Sequence, residues 1–114
     1  MDTWQKVWQP RPVATNICAI EAKLRDWKRA LGQANRYKDF AHTSWVLLDC
    51  AFVESAIQNL NEFERCNVGL ASCDASGATS IYFTPQPEPP RSADKYWIAM
   101  SQIASQAISK KLKR

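Results

Sequence analysis

The sequence has few of the residues that build familiar metal and phosphate sites. Its 114 residues include one histidine and three glycines, and the glycines stand at positions 32, 69 and 77. A single histidine excludes a multi-histidine metal centre, and glycines so far apart form no phosphate-cradling loop. We therefore predict no catalytic residue, no metal, no cofactor and no small-molecule substrate.

The sequence also lacks long hydrophobic runs. None approaches the roughly 18 to 20 apolar residues that a helix needs to cross a bilayer. A secretory signal typically has a basic leader followed by an apolar stretch. Residues 1–6 contain no such pattern. These absences predict a cytoplasmic protein with no membrane partner.

The four cysteines have no spacing that is typical of a zinc site. Cys18 and Cys50 fall among apolar residues at helical spacing, where a thiol packs as a small hydrophobe. Cys66 and Cys73 flank a polar loop, and their separation is wider than that of most zinc ligands. A disulfide between Cys66 and Cys73 would require an oxidising compartment, so we expect free thiols.

Hydrophobic periodicity predicts a mainly α fold. Apolar residues recur at alternating intervals of three and four, as on one face of a helix, at Ile17, Ile20, Leu24, Trp27 and Leu31. Similar stripes follow further along the chain. A chain of this length has room for one core but not for two. We predict a single domain over residues 1–114, a three-helix bundle with helices near 15–37, 41–65 and 92–112.

The segments outside these helices differ in composition. Pro10 and Pro12 predict that residues 1–14 form an extended N-terminal arm. Residues 67–91 are predicted to form an irregular loop or a short β-hairpin between helices 2 and 3, followed by a proline-rich connector. Residues 110–114 form a basic tail.

Charge is segregated along the chain. Residues 21–38 carry +4, residues 39–65 carry −4 and residues 91–114 carry +5. A basic helix face and a basic tail are typical of proteins that contact phosphate backbones, although unlike charges also pair helices within one bundle.

We predict a non-enzymatic accessory or regulatory protein that contacts nucleic acid or a nucleoprotein complex. The residues predicted to bind it are Arg25, Lys28, Arg29, Arg36, Lys110, Lys111, Lys113 and Arg114.

The alternative is a module that binds or inhibits another protein, or a second copy of itself. Aromatic residues are common anchors of such interfaces, and Trp4 and Trp8 in the arm are the predicted partner-binding residues. These two tryptophans would otherwise pack on the domain's own core.

Arg36 and His42 are separated by five residues, in the pattern Arg-x5-His. It resembles the short catalytic signature of the HEPN group of helical ribonucleases. The resemblance covers seven residues, and Tyr37 stands where that group usually has a polar residue. It implies a ribonuclease in which His42 transfers protons and Arg36 stabilises the phosphate.

Overall fold

The computed structural model describes the backbone of residues 16–112 and the side chains of residues 16–106. This part of the chain folds into a four-stranded mixed sheet with α-helices, so the predicted mainly α three-helix bundle is wrong. The strands are β1 (Cys18–Lys23), β2 (Thr43–Asp49), β3 (Gly69–Cys73) and β4 (Thr79–Phe83). The α-helices are α1 (Trp27–Tyr37), α2 (Glu54–Gln58), α3 (Leu60–Cys66) and α4 (Ala93–Leu112).

The sheet has the strand order β1-β2-β3-β4. The first three strands are parallel, because α1 connects β1 to β2, and α2 and α3 connect β2 to β3. The β4 strand returns antiparallel to β3 as a hairpin. The hairpin predicted in this region is therefore present as the last two strands of a larger sheet.

The first two predicted helices are wrong over their first halves. Residues 18–23 and 43–49 are strands, and their burial alternates from one residue to the next. Helix α1 begins only at Trp27, after Asp26, whose carboxylate accepts a hydrogen bond from the Arg29 backbone N–H at 3.3 Å. This N-cap is a helix start that the apolar periodicity does not reveal.

The core lies between one face of the sheet and the helices α1, α2 and α3. Its buried residues are Trp27, Ala30, Leu31, Ala34, Val46, Leu48, Val53, Ala56, Phe63, Val68 and Leu70. Because side chains alternate along a strand, the intervening residues Trp45, Leu47 and Ala71 lie on the opposite face. The fold therefore has two layers in the described residues, with helices on one side of the sheet only.

Hydrogen bonds and an ion pair hold the proline-rich connector across the end of the sheet. The Glu88 backbone N–H donates to the His42 carbonyl at 3.0 Å, and that of Arg91 donates to the Lys38 carbonyl at 3.1 Å. The buried Lys38 ammonium donates to the Glu88 carboxylate at 2.7 Å and to the Cys66 carbonyl at 2.8 Å. These contacts place the start of α4 against a small second cluster, formed by Ile17, Ala41 and Met100 with their half-buried neighbours.

All four cysteines are free, and Cys18 and Cys50 are exposed. Cys18 begins β1 and Cys50 begins a 3-10 turn, so the predicted packing of these two thiols inside helices is wrong. Across residues 16–112, none of the helices combines the length and the apolar character that crossing a bilayer requires. The cytoplasmic location stays a prediction.

Gly69 and Gly32 provide a matched test of this packing. We expect Gly69→Ala to lower the free energy of unfolding by about 1–3 kcal/mol, because a Cβ there would lie 2.5 Å from the ring of Trp45. Gly32→Ala should raise it by about 0.5–1 kcal/mol, because alanine is the better helix former and its Cβ meets no atom within 4 Å. Urea denaturation measures both variants. Equal stability of Gly69→Ala and the parent would contradict the close packing of Trp45 on this strand.

Candidate functional site

A charged pair lies on the edge strand β1, on the side that faces α1. Register with β2 pairs Glu21 with the buried Val46, and Lys23 with the buried Leu48, so Glu21 and Lys23 share the face that the helices cover. The Lys23 Nζ is 3.4 Å from Glu21 Oε1. Their side chains are 35% and 13% exposed, respectively, which leaves both within reach of solvent.

Tyr37, the last residue of α1, orients the Glu21 carboxylate. Its hydroxyl donates to Glu21 Oε2 at 2.5 Å, while the other oxygen of the same carboxylate faces Lys23. This hydrogen bond is the main reason that the pKa of Tyr37 lies above its ordinary value of 10.0. The phenol therefore remains a donor at neutral pH, and it holds the carboxylate in one orientation.

Gln33 places an unpaired oxygen on the same flank of α1. It precedes Tyr37 by four residues, about one turn, and α1 runs opposite in direction to β1. Four residues of a helix rise about 6 Å, and two residues of a strand rise about 6.6 Å. Because these two rises are nearly equal, Gln33 lies at the height of Lys23 along the strand when Tyr37 lies at the height of Glu21. The Gln33 Oε1 is buried and accepts no hydrogen bond from the described residues.

Two of the predicted basic residues adjoin this cluster. Arg29 and Arg36 are exposed on α1, and at 100° per residue they lie within about 20° of each other, next to Gln33 on the helix surface. We call Glu21, Lys23, Gln33 and Tyr37 the edge site, and Arg29 with Arg36 its arginine rim. Both belong to the outer flank of α1 and to β1.

The other predicted nucleic-acid-binding residues lie elsewhere. Arg25 precedes α1 and stacks over the Phe52 ring at 5.5 Å, and Lys28 stacks over the Trp27 ring at 5.8 Å. Lys28 is about 80° or more from the arginine rim around the helix. The predicted single basic face is thus divided. Lys110 and Lys111 lie in the last turn of α4 without described side chains, and Lys113, Arg114, Trp4 and Trp8 lie outside the described residues.

His42 is occupied by backbone contacts. Its Nδ1 accepts a hydrogen bond from the Ile17 backbone N–H at 3.0 Å, and its ring packs edge-on against Tyr96. Arg36 is exposed on α1, whereas His42 directly precedes β2. The helical setting that the HEPN resemblance implies is absent from this α/β fold, and Nδ1 of His42 is already used.

The edge site offers a cation one carboxylate, that of Glu21. In residues 16–106, no three Asp, Glu, His or Cys side chains converge to form a complete cage. Mg²⁺ does not need such a cage, because it keeps several waters and binds through one or two carboxylates together with substrate phosphates. Glu21 supplies an oriented carboxylate, and Lys23 supplies a cation for a phosphate.

The spacing of the edge-site residues in the sequence is a signal for this site. That spacing can be interpreted only when the secondary structure is known. Glu21 and Lys23 are separated by one residue, which places them on one face of a strand but about 160° apart on a helix. Gln33 and Tyr37 are separated by one helical turn. The predicted helix near 15–37 dispersed Glu21, Lys23 and Tyr37, whereas the actual strand and helix bring these three residues together.

Comparisons of the chain with protein families, with curated proteins and with solved structures found no match. The chemistry of the edge site therefore has to be inferred from its own residues.

The bond between Tyr37 and Glu21 is testable by titration. We expect Glu21→Gln to lower the pKa of Tyr37 toward 10.0, because a neutral amide oxygen holds the phenolic proton less strongly than a carboxylate does. Ultraviolet absorbance of tyrosinate measures the titration, and Tyr37→Phe identifies the step that belongs to this residue. Glu62→Gln removes an exposed carboxylate paired with Arg65 on α3 and should change nothing. An unchanged pKa in Glu21→Gln would show that the bond does not form.

Proposed function

We propose that this protein binds nucleic acid along its arginine rim and hydrolyses a phosphodiester bond at the edge site with the help of Mg²⁺. The observation that carries the proposal is the Glu21 carboxylate, which is held by Tyr37 on one oxygen and lies beside Lys23 on the other. The sequence predicts a non-enzymatic role with the same ligand, and that role stays a prediction.

Glu21 is the residue that would hold the cation. The Glu21 side chain is 13% exposed, and a hydrated Mg²⁺ would bind there through this one carboxylate together with the substrate phosphates. The hydrogen bond from Tyr37 leaves further lone pairs on the carboxylate for the metal. A bound Mg²⁺ would supply charge neutralisation at the phosphate and would activate a water molecule.

Lys23 is the residue that would act on the phosphate itself. Lys23 lies two residues after Glu21 on the strand, and its side chain is partly exposed to solvent. Its ammonium can therefore move from the carboxylate to a phosphate oxygen when substrate binds. In the reaction a water oxygen bonds to phosphorus and loses a proton to solvent. One P–O ester bond breaks, and its oxygen takes up a proton to become a hydroxyl. Lys23 stabilises the negative charge of the five-coordinate phosphate between these two events.

The arginine rim supplies the contact with the rest of the substrate. Residues 23–36 contain five basic residues and one acidic residue, so this side of the domain attracts a polyanion. Guanidinium groups bind phosphate oxygens through two parallel hydrogen bonds, which suits Arg29 and Arg36 for backbone contacts on either side of the reacting phosphate. Such contacts carry no base specificity.

A protein-interaction module is the second candidate, and α4 supports it. Trp97 is 47% exposed and Ile98 is 58% exposed, although both are large apolar residues. Exposed aromatic residues of this kind are common interface anchors. In this alternative the edge site is a structural ion pair, and the protein cleaves no nucleic acid.

Cleavage of labelled RNA and DNA oligonucleotides, with Mg²⁺ or with a chelator, tests the proposal. We expect cleavage only with Mg²⁺, and a loss of about 10²-fold or more in Glu21→Gln and in Lys23→Met, because each removes charge stabilisation from the transition state. Both variants should still bind the oligonucleotides. The double variant Arg29→Gln/Arg36→Gln should bind more weakly, with a salt dependence reduced by about 1–2 phosphate contacts.

Arg65→Gln and Glu62→Gln are the matched controls, because both residues are charged and lie on α3, away from the edge site. They should cleave and bind as the parent does. Full cleavage by Glu21→Gln would overturn the site assignment. Salt-sensitive binding with no Mg²⁺-dependent cleavage would restore the non-enzymatic role, and no binding at low salt would favour the interaction module.

A further inference from the structure

A crevice lies at the carboxyl ends of the parallel strands, beside the edge site. Its volume is about 300 Å³, and residues at the ends of β1, β2 and β3 line it, among them Leu24, Leu47, Asp49 and Cys73. Ligands of open α/β sheets bind in the crevice beyond the carboxyl ends of the strands. This volume is at the small end of the range for small-molecule sites, so it suits a single flat ring.

Asp49 is the hydrogen-bonding group of this crevice. Its Oδ1 accepts a hydrogen bond from the Ala51 backbone N–H at 2.8 Å, and this bond caps the 3-10 turn that follows β2. The cap fixes the orientation of the carboxylate and leaves Oδ2 as an acceptor. Apolar walls with one acceptor of this kind fit a ring that carries a hydrogen-bond donor, whereas the negative charge repels a phosphate.

Lys23 joins the crevice to the edge site. It lines the crevice at the end of β1, and its Nζ lies 3.4 Å from Glu21 Oε1. Base and phosphate belong to one nucleotide, so a nucleic acid whose phosphate lies at Lys23 has a base within reach of the crevice. Pairing and stacking hold the bases of a duplex in place, whereas a base of a single strand is free to enter.

We propose that this crevice binds one base of a single-stranded nucleic acid and selects cytosine over uracil. This inference rests on the proposed function, because it takes nucleic acid as the ligand of the neighbouring edge site. The two bases have rings of equal size, but cytosine has an N4 amino donor where uracil has an oxygen acceptor. Oδ2 of Asp49 accepts from the amino group and repels the oxygen. The N3–H donor of uracil lies between two carbonyl oxygens, so a carboxylate that approaches it is repelled by both.

The experiment measures the binding of fluorescently labelled oligo-dC and oligo-dU of equal length by anisotropy. The full-length protein is used with a chelator, so that no strand is cleaved. We expect oligo-dC to bind about tenfold or more tightly than oligo-dU, because one base presents a donor to the carboxylate and the other an acceptor.

Asp49→Asn should reverse this preference. Asparagine caps a helical turn as well as aspartate does, so its amide oxygen still accepts from the Ala51 N–H. Its amide nitrogen then takes the place of Oδ2 and donates to the uracil oxygen. A second variant, Ala22→Leu, narrows the crevice from an exposed position on β1 and should remove most of the preference.

Asp74→Asn is the matched control, because it removes the same charge just after the neighbouring strand β3. Asp74 Oδ1 accepts from the backbone N–H groups of Ser76 and Ala78 at 2.9 and 3.0 Å, in a turn that asparagine also forms. Asp74 does not line the crevice. This variant should keep the parent's preference for oligo-dC.

Equal binding of the two oligonucleotides by the parent would overturn the proposal. A preference that Asp49→Asn and Ala22→Leu leave unchanged, or that Asp74→Asn removes, would do the same. A cytosine preference without Mg²⁺-dependent cleavage would support the crevice and refute the reaction at the edge site. Cleavage with equal affinity for both oligonucleotides would support the reaction and refute the crevice, and no binding of either would refute both. Circular dichroism checks that each variant is folded.

Discussion

The register between β1 and β2 is the constraint on which the edge site and the apolar sheet face opposite the helices both depend. It pairs Glu21 with the buried Val46 and Ile20 with Trp45 on the other face. Side chains alternate along a strand. If β1 slipped by one residue against β2, Glu21 and Lys23 would therefore turn onto the sheet face away from the helices, and Ile20 would turn toward α1. The bond from Tyr37 to Glu21 would then be lost. The edge site and the apolar face are therefore two consequences of one pairing.

Much of the second half of the fold could be predicted from the sequence, but the first half could not. The last predicted helix, 92–112, agrees with α4 within one residue, because Ser92 and the apolar rows around Tyr96 and Met100 are unambiguous. The region 18–49 misled the prediction for a physical reason. Strands that bury side chains on both faces have nearly continuous apolar sequences, and β2 has such a run from Trp45 to Leu48, with Trp45 and Leu47 half-buried on the face away from the helices. A short run of this kind also fits a helix.

The candidate site was partly accessible from the sequence. Arg29 and Arg36 lie together because their spacing of seven holds on any helix that contains both. The sequence does not predict that Glu21 and Lys23 share a face, because that face exists only when residues 18–23 form a strand. In the sequence Tyr37 stands out only as a departure from the HEPN signature, whereas in the structure its hydroxyl orients the Glu21 carboxylate. Tertiary structure, and not the local pattern, decides which of these residues meet.

The most direct test of the edge site as a cation and phosphate site is paramagnetic broadening of the protein's amide NMR signals by Mn²⁺, with a short oligonucleotide bound. Mn²⁺ prefers the same oxygen ligands as Mg²⁺ and broadens signals only near the place where it binds. We expect the strongest broadening at Glu21, Lys23 and Gln33, and its loss in Glu21→Gln. Broadening centred on another carboxylate, such as Asp49 or Asp74, or equal broadening in Glu21→Gln, would contradict this assignment.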